Sequence, residues 1–140
     1  MILIDTNVLI DARDTSQSNH AWVVELVGQS VSGEGAGINA VTLAELCAGS
    51  PNPEDIEPGI LKLGLQIFDL PAAASEICGA AYRRYVAARR GSGGGSAPKI
   101  PLPDFFIGAH AEVMGWKLAT RDAERIAKYF PKVVLITPKK

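Results

Sequence analysis

Along the chain, short apolar runs alternate with longer stretches that carry a single apolar face, a rhythm that predicts strands and helices in turn. Ile2, Leu3 and Ile4 form the first run, with the unbroken apolar character of a strand buried on both faces. It stops at Asp5. Thr6 and Asn7 can cap a helix on which Val8, Leu9 and Ala12 share a face, so Asp5 is expected at a strand-to-helix junction. Asn19 to Ser30 places Trp22, Val23, Leu26 and Val27 together as an amphipathic helix, with His20 facing solvent near its start. Glycines at 33, 35 and 37 mark a turn, and Ala36 to Ala40, carrying Ile38, reads as a second strand. Val41 to Gly49 follows as a helix with Leu43, Leu46 and Cys47 on its apolar stripe and Glu45 off it. Asn52 to Gly59 is loop-rich, Ile60 to Leu65 helical, and Gln66 to Leu70 a short extended piece.

Ala72 to Arg90 reads as a long helix with Ile77, Ala81, Tyr85 and Ala88 packed inward. Its last two turns hold Arg83, Arg84, Arg89 and Arg90, which suit either the negative end of the helix dipole or contact with phosphate. Residues 91–98 are predicted to be a flexible Gly/Ser-rich loop inside one domain, followed by prolines that stiffen the return. Asp104 then precedes a helix from Phe105 to Met114, where it would serve as N-cap, and His110 lies nearly two turns further on as a packed or surface residue. Lys117 to Thr120 is a strand, Asp122 opens a helix that runs to Tyr129 before Pro131, and Val133 to Ile136 supplies the last strand. The alternation predicts an α/β fold over 1–140: a central parallel sheet flanked by helices.

Composition narrows the picture. The 140 residues are 47% hydrophobic and 21% charged, enough for one domain with an ordinary core. No apolar run approaches the ~18 residues of a membrane span. The N-terminus lacks the positive flank of a signal peptide, so a cytoplasmic location is expected and no membrane partner. Cys47 and Cys78 show no metal spacing and read as packing residues. A net charge of −1 excludes binding of nucleic acid by bulk charge, so any polyanion must meet a local patch.

Four acidic residues carry the chemistry. Asp5, Glu45 and Asp122 each follow a predicted strand and Asp104 starts a helix, so a parallel sheet brings all four towards one edge. Singly, each has a structural explanation: a cap for Asp5 or Asp104, a solvated helix position for Glu45. Gathered together they repel, raising one another's pKa values unless a cation sits among them. With no histidine or cysteine set nearby the ligands are all oxygen, which favours Mg²⁺ or Mn²⁺ over Zn²⁺. Such sites make hydroxide from bound water and offset charge on a phosphoryl group.

With MILIDTNVLID, VTLAEL, PLPDFFIGAHA and ATRDAERIAKYFP in place, the chain resembles PIN-domain nucleases over nearly its whole length, and most of all the VapC toxins of bacterial and archaeal toxin–antitoxin pairs. The resemblance implies that Asp5, Glu45, Asp104 and Asp122 are the acidic quartet of a metal-dependent endoribonuclease. Asp5 and Asp104 would hold the metal, with Glu45 and Asp122 joining directly or through water. Thr6, Asn7 and Thr120 would support these carboxylates. It further implies cleavage of structured RNA, often transfer or ribosomal RNA, to leave a 5′-phosphate and a 3′-hydroxyl; a homodimer; and a VapB-like antitoxin whose tail docks beside the helices carrying Trp22 and Glu45. Arg83, Arg84, Arg89 and Arg90 are candidates for the RNA-binding rim. The Gly/Ser-rich segment before Pro98 departs from the family pattern by being longer and looser. Two rivals are weaker. A haloacid-dehalogenase phosphatase needs a second Asp where Asn7 stands, and a non-catalytic PIN module that binds RNA or a protein would have lost carboxylates that are all present here.

Overall fold

The structure, a computed structural model, describes residues 1–16, 18–91, 93 and 99–138. Five strands, β1 (Ile2–Ile4), β2 (Ala36–Asn39), β3 (Gln66–Phe68), β4 (Lys117–Ala119) and β5 (Leu135–Ile136), form one parallel sheet in the order β3-β2-β1-β4-β5. The chain therefore builds outward from β1 in one direction and then returns to the other side of it. Such a reversal opens a crevice at the carboxyl ends of β1 and β4, next to the end of β2.

Alternation of side chains along β1 explains why it stands at the centre. Leu3 packs into a cluster with Ala81, Phe105, Ile107 and Phe130 on one face, whereas Ile2 and Ile4 pack with Val8, Val23, Val27 and Ile38 on the other. The first face is covered by α5 (Ser75–Gly91), α6 (Leu102–Met114) and α7 (Ala123–Tyr129), and the second by α1 (Thr6–Arg13), α2 (His20–Ser32) and α4 (Ile56–Lys62). Helix α3 (Ala40–Ala48) contributes Val41 to one cluster and Leu46 to the other. Among the described residues no helix is long and apolar enough to cross a membrane.

Several elements differ from the sequence expectation for identifiable reasons. Helix α4 begins at Ile56, inside the stretch read as loop, because Ile56 and Ile60 are one turn apart and pack on the same core, and Pro58 falls in the first turn where no N–H is needed. Helix α6 begins at Leu102, not Phe105. Pro101 is its N-cap residue and Pro103 fits its first turn, so Asp104 is not the cap but the third residue of the helix. Ala72–Ala74 is a 3₁₀ turn before α5, Ala88 is exposed rather than packed, and α5 extends to include Gly91. Gly93 is also described, but the remainder of the expected flexible loop, 92 and 94–98, lies outside the described residues.

Gly108 lets α6 lie directly against the ring of Phe130. A Cβ placed there would lie 2.3 Å from the ring of Phe130, which is itself fully buried. Gly108→Ala is expected to destabilise the protein by about 1–3 kcal/mol through overpacking, read as a lower denaturation midpoint with an unchanged slope.

Candidate active site

The hollow at the carboxyl ends of the central strands has a volume near 210 Å³ and is lined by Asp5, Thr6, Asn7, Ile10, Glu45, Asp104, Ile107 and Arg125. Asp5 follows β1 directly, and its backbone N–H donates to the Ala119 carbonyl of β4 at 2.9 Å. It is both cap and site residue. Oδ1 accepts from the Thr6 N–H at 2.7 Å, while Oδ2 accepts from the Thr120 hydroxyl at 2.8 Å and from Asn7 Nδ2 at 3.3 Å. An ionised carboxylate has about four lone-pair sites, so acceptor capacity is left over. Burial pushes the Asp5 carboxyl above its ordinary range; the Thr120 bond, the Arg125 charge and the Thr6 N–H oppose this, and the Asp122 charge adds to it.

Glu45 reaches the same hollow from the solvent side of α3. Its Oε1 accepts from the Thr6 hydroxyl at 2.8 Å, and Thr6 and Thr42 hydroxyls are 3.0 Å apart. One hydroxyl has one proton, so Thr6 donates to Glu45 and accepts from Thr42. Burial raises the Glu45 pKa; the Thr6 bond lowers it, and the charges of Asp104 and Asp5 and a hydrogen-bonding contact with Asp104 raise it further. Asn39, buried at the end of β2, holds α3 in place by accepting from the Val41 and Thr42 N–H groups. Its Nδ2 lies 3.3 Å from Nδ1 of His110, a buried residue flanked by Phe68 and Trp116. Burial depresses the His110 pKa, which favours the neutral ring, and the Asn39 amide nitrogen, able only to donate, pairs with Nδ1 in the tautomer where it accepts. His110 is thus the packed histidine of the two options. His20, expected in solvent, is half-buried, with Nδ1 3.1 Å from the Asp11 carbonyl oxygen.

Asp5, Glu45 and Asp104 line the hollow together; Asp122 does not line it, although its charge acts on Asp5. Asp122 is 45% exposed and pairs with Arg125 Nη2 at 3.0 Å, while its N–H donates to the Thr120 hydroxyl at 2.9 Å. Thr6, Asn7 and Thr120 each donate a hydrogen bond to Asp5 or Glu45. Arg83, Arg84, Arg89 and Arg90 lie on α5 and do not line the hollow, and Arg84 Nη2 donates to the Tyr129 carbonyl at 3.0 Å. Sequence reading missed Arg125, although it sits one helical turn after Asp122, the spacing at which side chains meet. It also missed the buried Asp11, which pairs with Arg121 Nε at 3.1 Å; a carboxylate three residues after Val8 on an inward helix face was the available signal.

Whether these residues suit a divalent cation turns on donor chemistry. Among the described residues no three His, Cys, Asp or Glu side chains converge as a ready-made cage. Yet three oxygen donors border one hollow, and at Glu45 the two neighbouring carboxylates add to the effect of burial in disfavouring ionisation. A hard cation relieves that strain, so the donor set fits Mg²⁺ or Mn²⁺.

Comparison with known proteins bears on the family and the fold. A PIN domain family model matches residues 2–130. The FitAB complex bound to an IR36 DNA fragment superposes over 99% of this chain and 95% of that one, at 26% identity and a TM-score of 0.69. VapBC2 from Rickettsia felis, bound to promoter DNA, matches at 23% identity and a TM-score of 0.64 over 99% and 100% of the two chains. VapC20 from Mycobacterium tuberculosis, a toxin that cleaves the sarcin–ricin loop, matches at 13% identity and a TM-score of 0.64 over 96% and 99%. No curated protein matches the sequence.

Proposed function

Because the chain belongs to the PIN-domain family, we propose that it is a metal-dependent endoribonuclease, the VapC-like toxin of a toxin–antitoxin pair. The observation that carries this reading is the set of Asp5, Glu45 and Asp104 around one hollow at the sheet's carboxyl edge. Asp5 and Asp104 would hold Mg²⁺ or Mn²⁺, with Glu45 and Asp122 joining directly or through water. Bound there, the cation supplies an activated water and offsets charge on a phosphodiester. The chain's own residues prepare the site. Thr6, Asn7 and Thr120 fix both oxygens of Asp5, and the Thr6 hydroxyl orients Glu45. Ile10 and Ile107 give the hollow apolar walls, which strengthen electrostatic contacts inside it.

RNA would be gripped along α5, where Arg83 and Arg90 are exposed. A VapB-like antitoxin would control the enzyme, and the homodimer implied by the resemblance belongs to the same proposal. A second hollow of about 730 Å³, lined by Leu9, Val24, Val27, Leu46, Ile60 and Leu63 among others, lies among α1 to α4, where an apolar antitoxin tail is expected. Val24 and Leu63 are 54% and 52% exposed there, apolar surface that a tail folding on contact would cover.

The purified protein is expected to cut structured RNA when Mg²⁺ or Mn²⁺ is supplied and to stop when EDTA removes it. Cleavage indifferent to EDTA would overturn the metal reading. RNA or partner binding without cleavage under any divalent cation would favour a non-catalytic PIN module instead.

A further inference from the structure

Resting on the ribonuclease reading, we infer that Arg125 is a substrate-binding residue that exchanges its pairing with Asp122 for the phosphate of the RNA at the site of cleavage. Arg125 is the one cationic side chain among the residues described as lining the hollow, where it faces the carboxylates of Asp5, Glu45 and Asp104. Such a site repels a polyanion. A divalent cation together with one guanidinium balances three carboxylates, which lets the negative charge of a phosphodiester enter a neutral hollow. A guanidinium also matches phosphate in shape, because its planar fork of five donors can give two parallel hydrogen bonds to two oxygens.

The present pairing of Arg125 leaves it free to make that exchange. Its Nη2 lies 3.0 Å from Asp122 Oδ2, and the Asp122 side chain is 45% exposed, so water can replace the arginine when it leaves. Arg121 makes the opposite case. Its partner Asp11 is 1% exposed, and departure of Arg121 would leave a buried charge uncompensated. Of the two arginines flanking Asp122 in sequence, one is held by the fold and the other can serve a ligand. Arg125 already reaches the reacting region electrostatically, since its charge acts on the buried Asp5.

The test measures RNA binding without cleavage and metal binding without RNA. A fluorescently labelled single-stranded RNA is titrated with the full chain at a fixed concentration of Ca²⁺, a hard cation for the same oxygen donors, over a range of salt with the RNA checked intact on a gel, and Mn²⁺ is titrated calorimetrically into the RNA-free protein. Arg125→Gln is expected to weaken RNA binding about fivefold at about 0.1 M salt and to reduce the salt slope by about 0.7, the loss of one phosphate contact on a single strand. Arg125→Lys should keep the slope, and Asp122→Asn, which removes the competing carboxylate, should tighten RNA binding. Mn²⁺ affinity in Arg125→Gln should be unchanged or higher, because a competing positive charge has gone. Unaltered RNA affinity and salt slope in Arg125→Gln, with only Mn²⁺ affinity changed, would make Arg125 a plain counter-ion and overturn the inference. If Arg125→Gln does not fold, the Asp122→Asn protein decides, since no gain in RNA affinity there overturns the exchange. An unaltered protein that neither binds nor cuts RNA would sink the ribonuclease reading and this inference with it, whereas cleavage by the unaltered protein with an insensitive Arg125 sinks this inference alone.

Discussion

Asp5→Asn and Asp104→Asn proteins are expected to fold normally and to cut RNA at least about a hundredfold more slowly than the unaltered chain. A catalytic cation stabilises the transition state by several kcal/mol, and each ~1.4 kcal/mol is tenfold in rate. Asparagine keeps the shape of the carboxylate and removes its charge, so the loss is confined to what the charge does. For Asp5 a second measurement separates chemistry from folding. Burial raises its folded pKa above the ordinary 3.8, so the protonated form is the one that suits the folded state. Its contribution to stability is complete below the unfolded pKa and is lost as pH rises through the folded pKa. The Asp5→Asn protein lacks that loss. Its melting temperature should fall less between acid and neutral pH, and at neutral pH should equal or exceed that of the unaltered chain. The Thr120 hydroxyl can turn to accept from the new amide, which limits the cost of the exchange. Adding Mn²⁺ should raise the melting temperature of the unaltered protein and not of this variant. A wild-type cleavage rate in either variant, or an Asp5→Asn protein that melts far below the unaltered chain, would contradict this account.

Removing Arg121 should have the largest effect on stability. Asp11 is 1% exposed and neither of its oxygens makes an aligned hydrogen bond among the described residues; what it has is the Arg121 Nε 3.1 Å from Oδ2. Arg121→Ala leaves that charge buried, which costs about 3 kcal/mol and should lower the melting temperature by about 10 °C for a chain of this size. The double variant Asp11→Leu/Arg121→Met removes both charges and should recover most of the loss. Activity at a permissive temperature should fall too. Arg121 lies between Thr120 and Asp122, and its N–H donates to Asn7 Oδ1 at 3.2 Å, so the pair ties α1 to the loop that supports Asp5. Thermal melts of the three proteins settle the matter. A single variant as stable as the unaltered chain would mean that water already compensates Asp11.

What the sequence determined by itself is what short-range patterns encode. Ile2 to Ile4 had to be a buried strand because three consecutive apolar residues satisfy both faces of a sheet, and the carboxylate that follows had to sit at its end. The same local logic placed Glu45 in the helix after β2 and Asp104 at the start of the helix before β4, where the structure puts it inside the first turn, so the three carboxylates of the hollow were legible before any coordinates. Boundaries were less so. Helix α4 begins inside a Pro- and Gly-bearing stretch because burial of Ile56 and Ile60 outweighs propensity, a choice made by the neighbours they pack against. Tertiary structure alone decided which groups meet. Thr120 reaches Asp5 from 115 residues away, and Asn39 reaches His110 across 71, because the order β3-β2-β1-β4-β5 puts β2 and β4 on either side of β1. That order also set Arg125 at the hollow and Asp122 at its rim. No periodicity along the chain contains this information, since hydrophobic period specifies which face of an element is buried and not which distant element will cover it.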